Sequence, residues 1–121
     1  MVSSSRAQRP LPSRSEIWLV DLSPTRGHEQ AGQRPALVVS TDRFNHGPAG
    51  LVVAVPLTTR HRRIPLHVAV EPPEGGVRQR SYAKCEDVRS ISIERLIEPW
   101  GFISPETMAA IEDRLRILLD L

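Results

Sequence analysis

Apolar and polar residues alternate through residues 16–22 (EIWLVDL), which predicts a strand with Ile17, Leu19 and Asp21 on one face and Trp18, Val20 and Leu22 on the other. Residues 36–40 (ALVVS) read as an apolar strand, and residues 51–55 (LVVAV), β-branched and apolar throughout, predict a strand buried on both faces. Pro56 removes a ladder donor and is expected at a strand end, an edge or a bulge. Residues 66–70 alternate again, and residues 81–85 and 98–103 are two further short strands. Between those two, residues 92–95 read as one helical turn. Polar and glycine- or proline-bearing stretches at 41–50 and 72–76 read as turns.

The last element is a helix. Ser104 supplies its cap, Pro105 suits its first position, and Glu106 complements its dipole. Met108, Ile111, Leu115 and Leu118 form an apolar stripe, widened by Leu119 and Leu121. Five or six short strands and one terminal helix predict a small, strongly curved antiparallel sheet or half-open barrel with the helix on one face. A stripe this broad on so small a domain is expected to be partly covered in a dimer.

Residues 1–14 (MVSSSRAQRPLPSR) carry almost nothing to bury and read as a disordered arm, leaving 15–121 as a single domain. No apolar run approaches the roughly 18 residues needed to span a bilayer, and the N-terminus lacks the apolar core of a secretion signal. A cytoplasmic protein with no membrane partner is the simplest reading. The only cysteine, Cys85, has no disulfide partner within the chain and is expected in the core.

Net charge is +2, but residues 1–65 carry +5 and residues 66–121 carry −3. That asymmetry fits a polyanionic partner and equally an ordinary solvated surface. Fifteen of the sixteen cations are arginine, the side chain suited to bidentate phosphate contacts.

The candidate chemistry lies in two polar segments. Residues 25–35 (TRGHEQAGQRP) form a glycine-punctuated loop between two strands, the usual seat of function in a small domain. His28, Gln30 and Gln33 offer donors and acceptors, Glu29 is a possible general base, and Arg34 is a possible stabiliser of a pentacovalent phosphorane. An ordinary surface loop closed by a Glu29–Arg34 ion pair is the alternative. Residues 55–63 (VPLTTRHRR) end a strand with the hydroxyls of Thr58 and Thr59, followed by Arg60, His61, Arg62 and Arg63. These groups suit a nucleic-acid backbone, or else a solubilising loop. No paired cysteines, His-x-x-x-His spacing or tight carboxylate cluster indicates a metal, and no cofactor is implied.

Residues 16–22, 24–32, 34–40 and 55–59, with 85–92 (CEDVRSIS) and 94–97 (ERLI), resemble the MazF/PemK family of toxin endoribonucleases, in order and spacing, over about residues 15–121. The resemblance implies a homodimeric SH3-like or CcdB-like barrel, mainly β with α. It implies sequence-specific, metal-independent cleavage of single-stranded RNA and neutralisation by a MazE-like antitoxin. Family catalytic positions fall on Arg34 and Thr58, with Glu29 as a further candidate. Two features depart from the pattern: the arm is longer, and Ser15 stands where the family commonly has glycine. The competing reading on the same fold is a non-enzymatic toxin that inhibits DNA gyrase. A plain nucleic-acid-binding barrel is disfavoured by an aromatic content of 4%.

Overall fold

The computed structural model describes residues 10–22 and 32–121. β1 (Glu16–Asp21) buries Ile17 toward one core and Trp18 and Val20 toward another, so it is an inner strand. β2 (Gln33–Val38) and β3 (Leu51–Thr58) divide in the same way. Leu37, Val55 and Leu57 join Ile17, whereas Ala36, Val38, Val52 and Ala54 join Trp18. Two-sided burial explains why β2 and β3 read as continuous apolar runs. β4 (His67–Val70), β5 (Ser81–Lys84), β6 (Arg89–Ser92) and β7 (Leu96–Phe102) complete a seven-stranded sheet of order β4-β5-β3-β2-β1-β7, with β6 also paired to β3. Every pairing is antiparallel.

The mainly-β reading with a terminal helix therefore holds, and three boundaries differ for physical reasons. β2 starts at Gln33 rather than Ala36 because β1 pairs it from Asp21↔Gln33 to Ile17↔Leu37. Pro35 is tolerated there because the ladder with β3 begins only at Ala36, so its missing N–H leaves no gap on that side. β3 runs through Pro56 to Thr58. On its far edge it pairs β6 up to Ala54 and β5 from Leu57, leaving Pro56 between two ladders. β6 was not expected; a four-residue segment with one apolar side chain has no periodic signal, and pairing with β3 makes it a strand.

The segment read as a turn region at 41–50 contains a short helix, α1 (Asp42–Asn45), capped by Thr41. Asn45 is buried, donates to the Ser40 carbonyl at 3.0 Å and accepts from the Ser40 hydroxyl. The turn expected at residues 92–95 is a 3-10 turn at Ile93–Arg95, capped by Ser92.

α2 (Pro105–Leu119) starts as expected, with Ser104 Oγ accepting the Thr107 N–H at 3.1 Å. Glu74, on a distant turn, accepts the Ser104 N–H at 2.7 Å and fixes the helix start to the sheet. Met108 and Ile111 enter the core and Leu115 packs against it. Leu118, Leu119 and Leu121 remain exposed on the single chain.

Residues 10–14 of the expected arm are held against the domain. Arg14 donates to the Val39 carbonyl and to Glu112, and its backbone N–H meets Asp42 Oδ1 at 2.7 Å. The Pro12 carbonyl lies 2.7 Å from His46 Nε2. Residues 1–9 are outside the described residues. Among the described residues, no helix is long and apolar enough to cross a membrane.

Candidate functional site

Antiparallel pairing places directly opposed residues on the same face of a sheet. Val20 opposes Arg34, Thr58 opposes Tyr82, and Tyr82 opposes Ala69. Between them, Ala36 opposes Pro56; continuing that register by two residues sets Arg34 against Thr58. A single row across five strands thus carries Arg34, Thr58 and Tyr82 on one face. It is the face of the Trp18 core, because Trp18, Val20, Ala36 and Ala54 share its parity. The row lies at the end of that core, where apolar burial gives way to an exposed guanidinium.

Arg34 is exposed, and among the described residues no ion pair engages it. Thr58 is half-buried. Its Oγ1 accepts the Arg60 backbone N–H at 3.2 Å, which turns the chain sharply and leaves the hydroxyl proton for another acceptor. Gln33 is exposed opposite Asp21. Thr59, Arg60, Arg62 and Arg63 are all exposed in the segment that follows β3, and Arg63 takes a left-handed φ of 55°. His28, Glu29 and Gln30 lie outside the described residues, and with Glu29 so does the alternative reading of a Glu29–Arg34 ion pair.

Two residues of this surface, Tyr82 and Arg80, were not singled out from sequence, and His61 was read there only as a backbone contact beside the arginines of 60–63. Tyr82 stacks against His61 with ring centroids 4.8 Å apart and planes 6° from parallel. The Arg80 guanidinium carbon lies 5.6 Å from the Tyr82 ring centroid, within cation–π reach. Arg80 also pairs with Glu71 at 2.8 Å. A histidine set among arginines and a tyrosine on an alternating strand were the available signals. Only the fold brings them together.

The other chemistry-bearing groups are occupied structurally. Cys85 is fully buried, as expected, and burial first and Glu86 second push its thiol up to about 11, so it is no nucleophile at neutral pH. Glu86 and Asp87 sit in a 3-10 turn at Cys85–Asp87. Glu86 meets His67 Nε2 at 2.8 Å, while Asp87 meets Arg89 at 3.3 Å. Among the described residues, no three His, Cys, Asp or Glu side chains converge as a metal site would need.

Residues 13–119 match the family described as the PemK-like, MazF-like toxin of type II toxin–antitoxin systems. The chain belongs to this toxin family. The MazF-like chain is 39% identical over 113 residues to the endoribonuclease MazF9 of Mycobacterium tuberculosis, a match covering 89% of this chain and 96% of that protein. Its fold superposes on MazF from Deinococcus radiodurans with a TM-score of 0.80 at 28% identity, covering 93% of this chain and all of the other. It is also similar to a mycobacterial endoribonuclease solved in complex with its cognate antitoxin, with a TM-score of 0.74 at 27% identity over 93% and 97% of the two chains.

Proposed function

We propose that this MazF-type toxin is an endoribonuclease that cuts single-stranded RNA, messenger RNA foremost, at preferred sequences and without a metal. What supports this most is the β2–β3 register, which, extended two residues past Ala36↔Pro56, sets Arg34 opposite Thr58 within a chain of this family.

RNA carries its own nucleophile, so the protein need not supply one. The ribose 2′-oxygen attacks the adjacent phosphorus, the bond to the 5′-oxygen breaks, and the products are a 2′,3′-cyclic phosphate and a 5′-hydroxyl. The enzyme must hold the attacking oxygen in line, neutralise the charge that builds on the phosphorane, take one proton and return one. Arg34 faces the equatorial oxygens as a fixed cation. As a guanidinium, with donors and no acceptor, it is a charge stabiliser rather than a proton carrier. Thr58 donates its hydroxyl proton to a non-bridging oxygen while its lone pair stays on the Arg60 N–H. Glu29 is the base candidate on sequence grounds. Gln33, Thr59, Arg60, Arg62 and Arg63 border the same end of the sheet and, with His28 and Gln30 added on sequence grounds, hold the flanking nucleotides.

The chain works as a homodimer, with the exposed end of α2 covered, and a cognate antitoxin of the MazE kind silences it. The antitoxin reading draws on the family description and on the antitoxin-bound relative.

The test is incubation of the purified protein with long single-stranded RNA in EDTA. The expected result is discrete fragments bearing 2′,3′-cyclic phosphates, with Arg34→Ala about 10²-fold slower, the scale of losing one transition-state donor. Supercoiling inhibition without RNA cleavage would instead identify a gyrase-directed toxin. Cleavage by Arg34→Ala at the parent rate would remove Arg34 from the mechanism.

A further inference from the structure

We propose that the His61–Tyr82 stack is a base-stacking platform beside the scissile phosphate, taking one unpaired RNA base on the outer face of the His61 ring. This rests on the ribonuclease reading above and adds a subsite to it.

Four observations carry the inference. The two rings are nearly parallel, at 6°, and 4.8 Å apart, so they already form a two-layer stack that a third planar ring can extend. The layers differ in exposure: Tyr82 is 7% exposed and held within β5, whereas His61 is exposed. The buried ring is the foundation and the exposed ring presents a face to solvent. Tyr82 directly opposes Thr58 on the adjacent strand, so the foundation of the platform stands one strand spacing, roughly 5 Å between backbones, from the residue assigned to the phosphate. Finally, the stack is flanked by cations. Arg80 lies over the Tyr82 ring, and Arg60, Arg62 and Arg63 are exposed beside His61.

Stacked rings bordered by guanidiniums match the general solution for single-stranded nucleic acid, in which aromatic faces hold bases and cations track the backbone. A duplex keeps its bases stacked on one another and offers none to the platform. Every base has a π-face, so this subsite adds affinity and strand selectivity rather than a sequence code. It also explains how a chain with 4% aromatic residues can stack a base.

The experiment first confirms that the wild-type protein cuts single-stranded RNA in EDTA. Affinity is then measured by fluorescence anisotropy with a randomised 12-nucleotide pool of 2′-O-methyl RNA, whose blocked 2′-oxygen prevents cleavage. His61→Ala, at an exposed position that leaves folding intact, is expected to raise Kd roughly 5- to 100-fold, the scale of losing one stacked base. His61→Phe is expected to restore binding to within about threefold. The salt dependence of log Kd should be the same for wild type and His61→Ala, because a stack releases no counterions. Wild-type cleavage with an unchanged Kd for His61→Ala overturns the platform and leaves the ribonuclease standing. So does an equal loss in His61→Ala and His61→Phe with a shallower salt slope, which makes His61 a backbone cation. A wild-type protein that neither cuts nor binds RNA overturns both readings.

Discussion

Ser15 occupies a left-handed backbone conformation, with φ at 78°. Its N–H donates to the Val38 carbonyl at 2.8 Å and its carbonyl accepts the Ile103 N–H at 3.0 Å, so the sheet holds it there from both sides. This is the position at which the family pattern commonly has glycine. A non-glycine residue in that region costs about 1–2 kcal/mol, and glycine costs about 0.5–1 kcal/mol in unfolded-state freedom. Ser15→Gly is therefore expected to stabilise by about 0.5–1 kcal/mol and raise Tm by a few degrees in a thermal scan. An unchanged or lower Tm would mean that the serine contributes something a glycine cannot replace. Arg34 and Thr58 were legible as chemistry at this same scale, because a cation before a proline and hydroxyls at a strand end are visible in the string. Tyr82 was not, and His61 was legible only as a backbone contact, because their stacking needs both rings side by side.

The elements of this fold depend on contacts made far along the chain. α2 was legible because its cap, first proline and apolar stripe are all local. Its attachment was not. Burial raises the Glu74 carboxyl, but hydrogen bonds from Thr107 and Ser104 outweigh that and hold it below its ordinary 4.5. A carboxylate whose folded pKa is depressed stabilises the fold above its unfolded pKa, and that contribution is lost as pH falls through the folded value. Glu74→Gln is thus expected to cost about 1 kcal/mol at pH 7. Its deficit relative to wild type should shrink as the pH drops below about 4.5. Thermal scans at neutral and acidic pH check this, and a deficit independent of pH would assign Glu74 a packing role. β6 and the extensions of β2 and β3 escaped the sequence for the same physical reason: strand pairing comes from a partner, and short segments carry little propensity of their own.

At the scale of the molecule, the unused apolar surface asks for a partner. Ile117 is 64%, Leu119 53% and Leu121 85% exposed, and Phe102 in β7 is 58% exposed. Large apolar side chains left exposed at a helix end suit an interface, and a second copy of the chain is the occupant proposed above. Light scattering at micromolar concentration is expected to return twice the chain mass, with Leu118→Glu combined with Leu121→Glu shifting the population toward monomer. A wild-type monomer at that concentration would send the helix face to another occupant.

The sequence alone determined the class of architecture, the terminal helix, the buried Cys85 and the two polar segments that hold the candidate chemistry. Each depends on residues close together in the chain, whose propensities and periodicity act locally. The tertiary structure alone decided that Thr58 falls opposite Tyr82, that the register of β2 on β3 runs toward Arg34 and Thr58, and that His61 folds back onto Tyr82. It also decided that Glu74 anchors a helix thirty residues away. Those outcomes depend on strand register, and in a sheet the register is set by which strands pair and not by what either strand prefers.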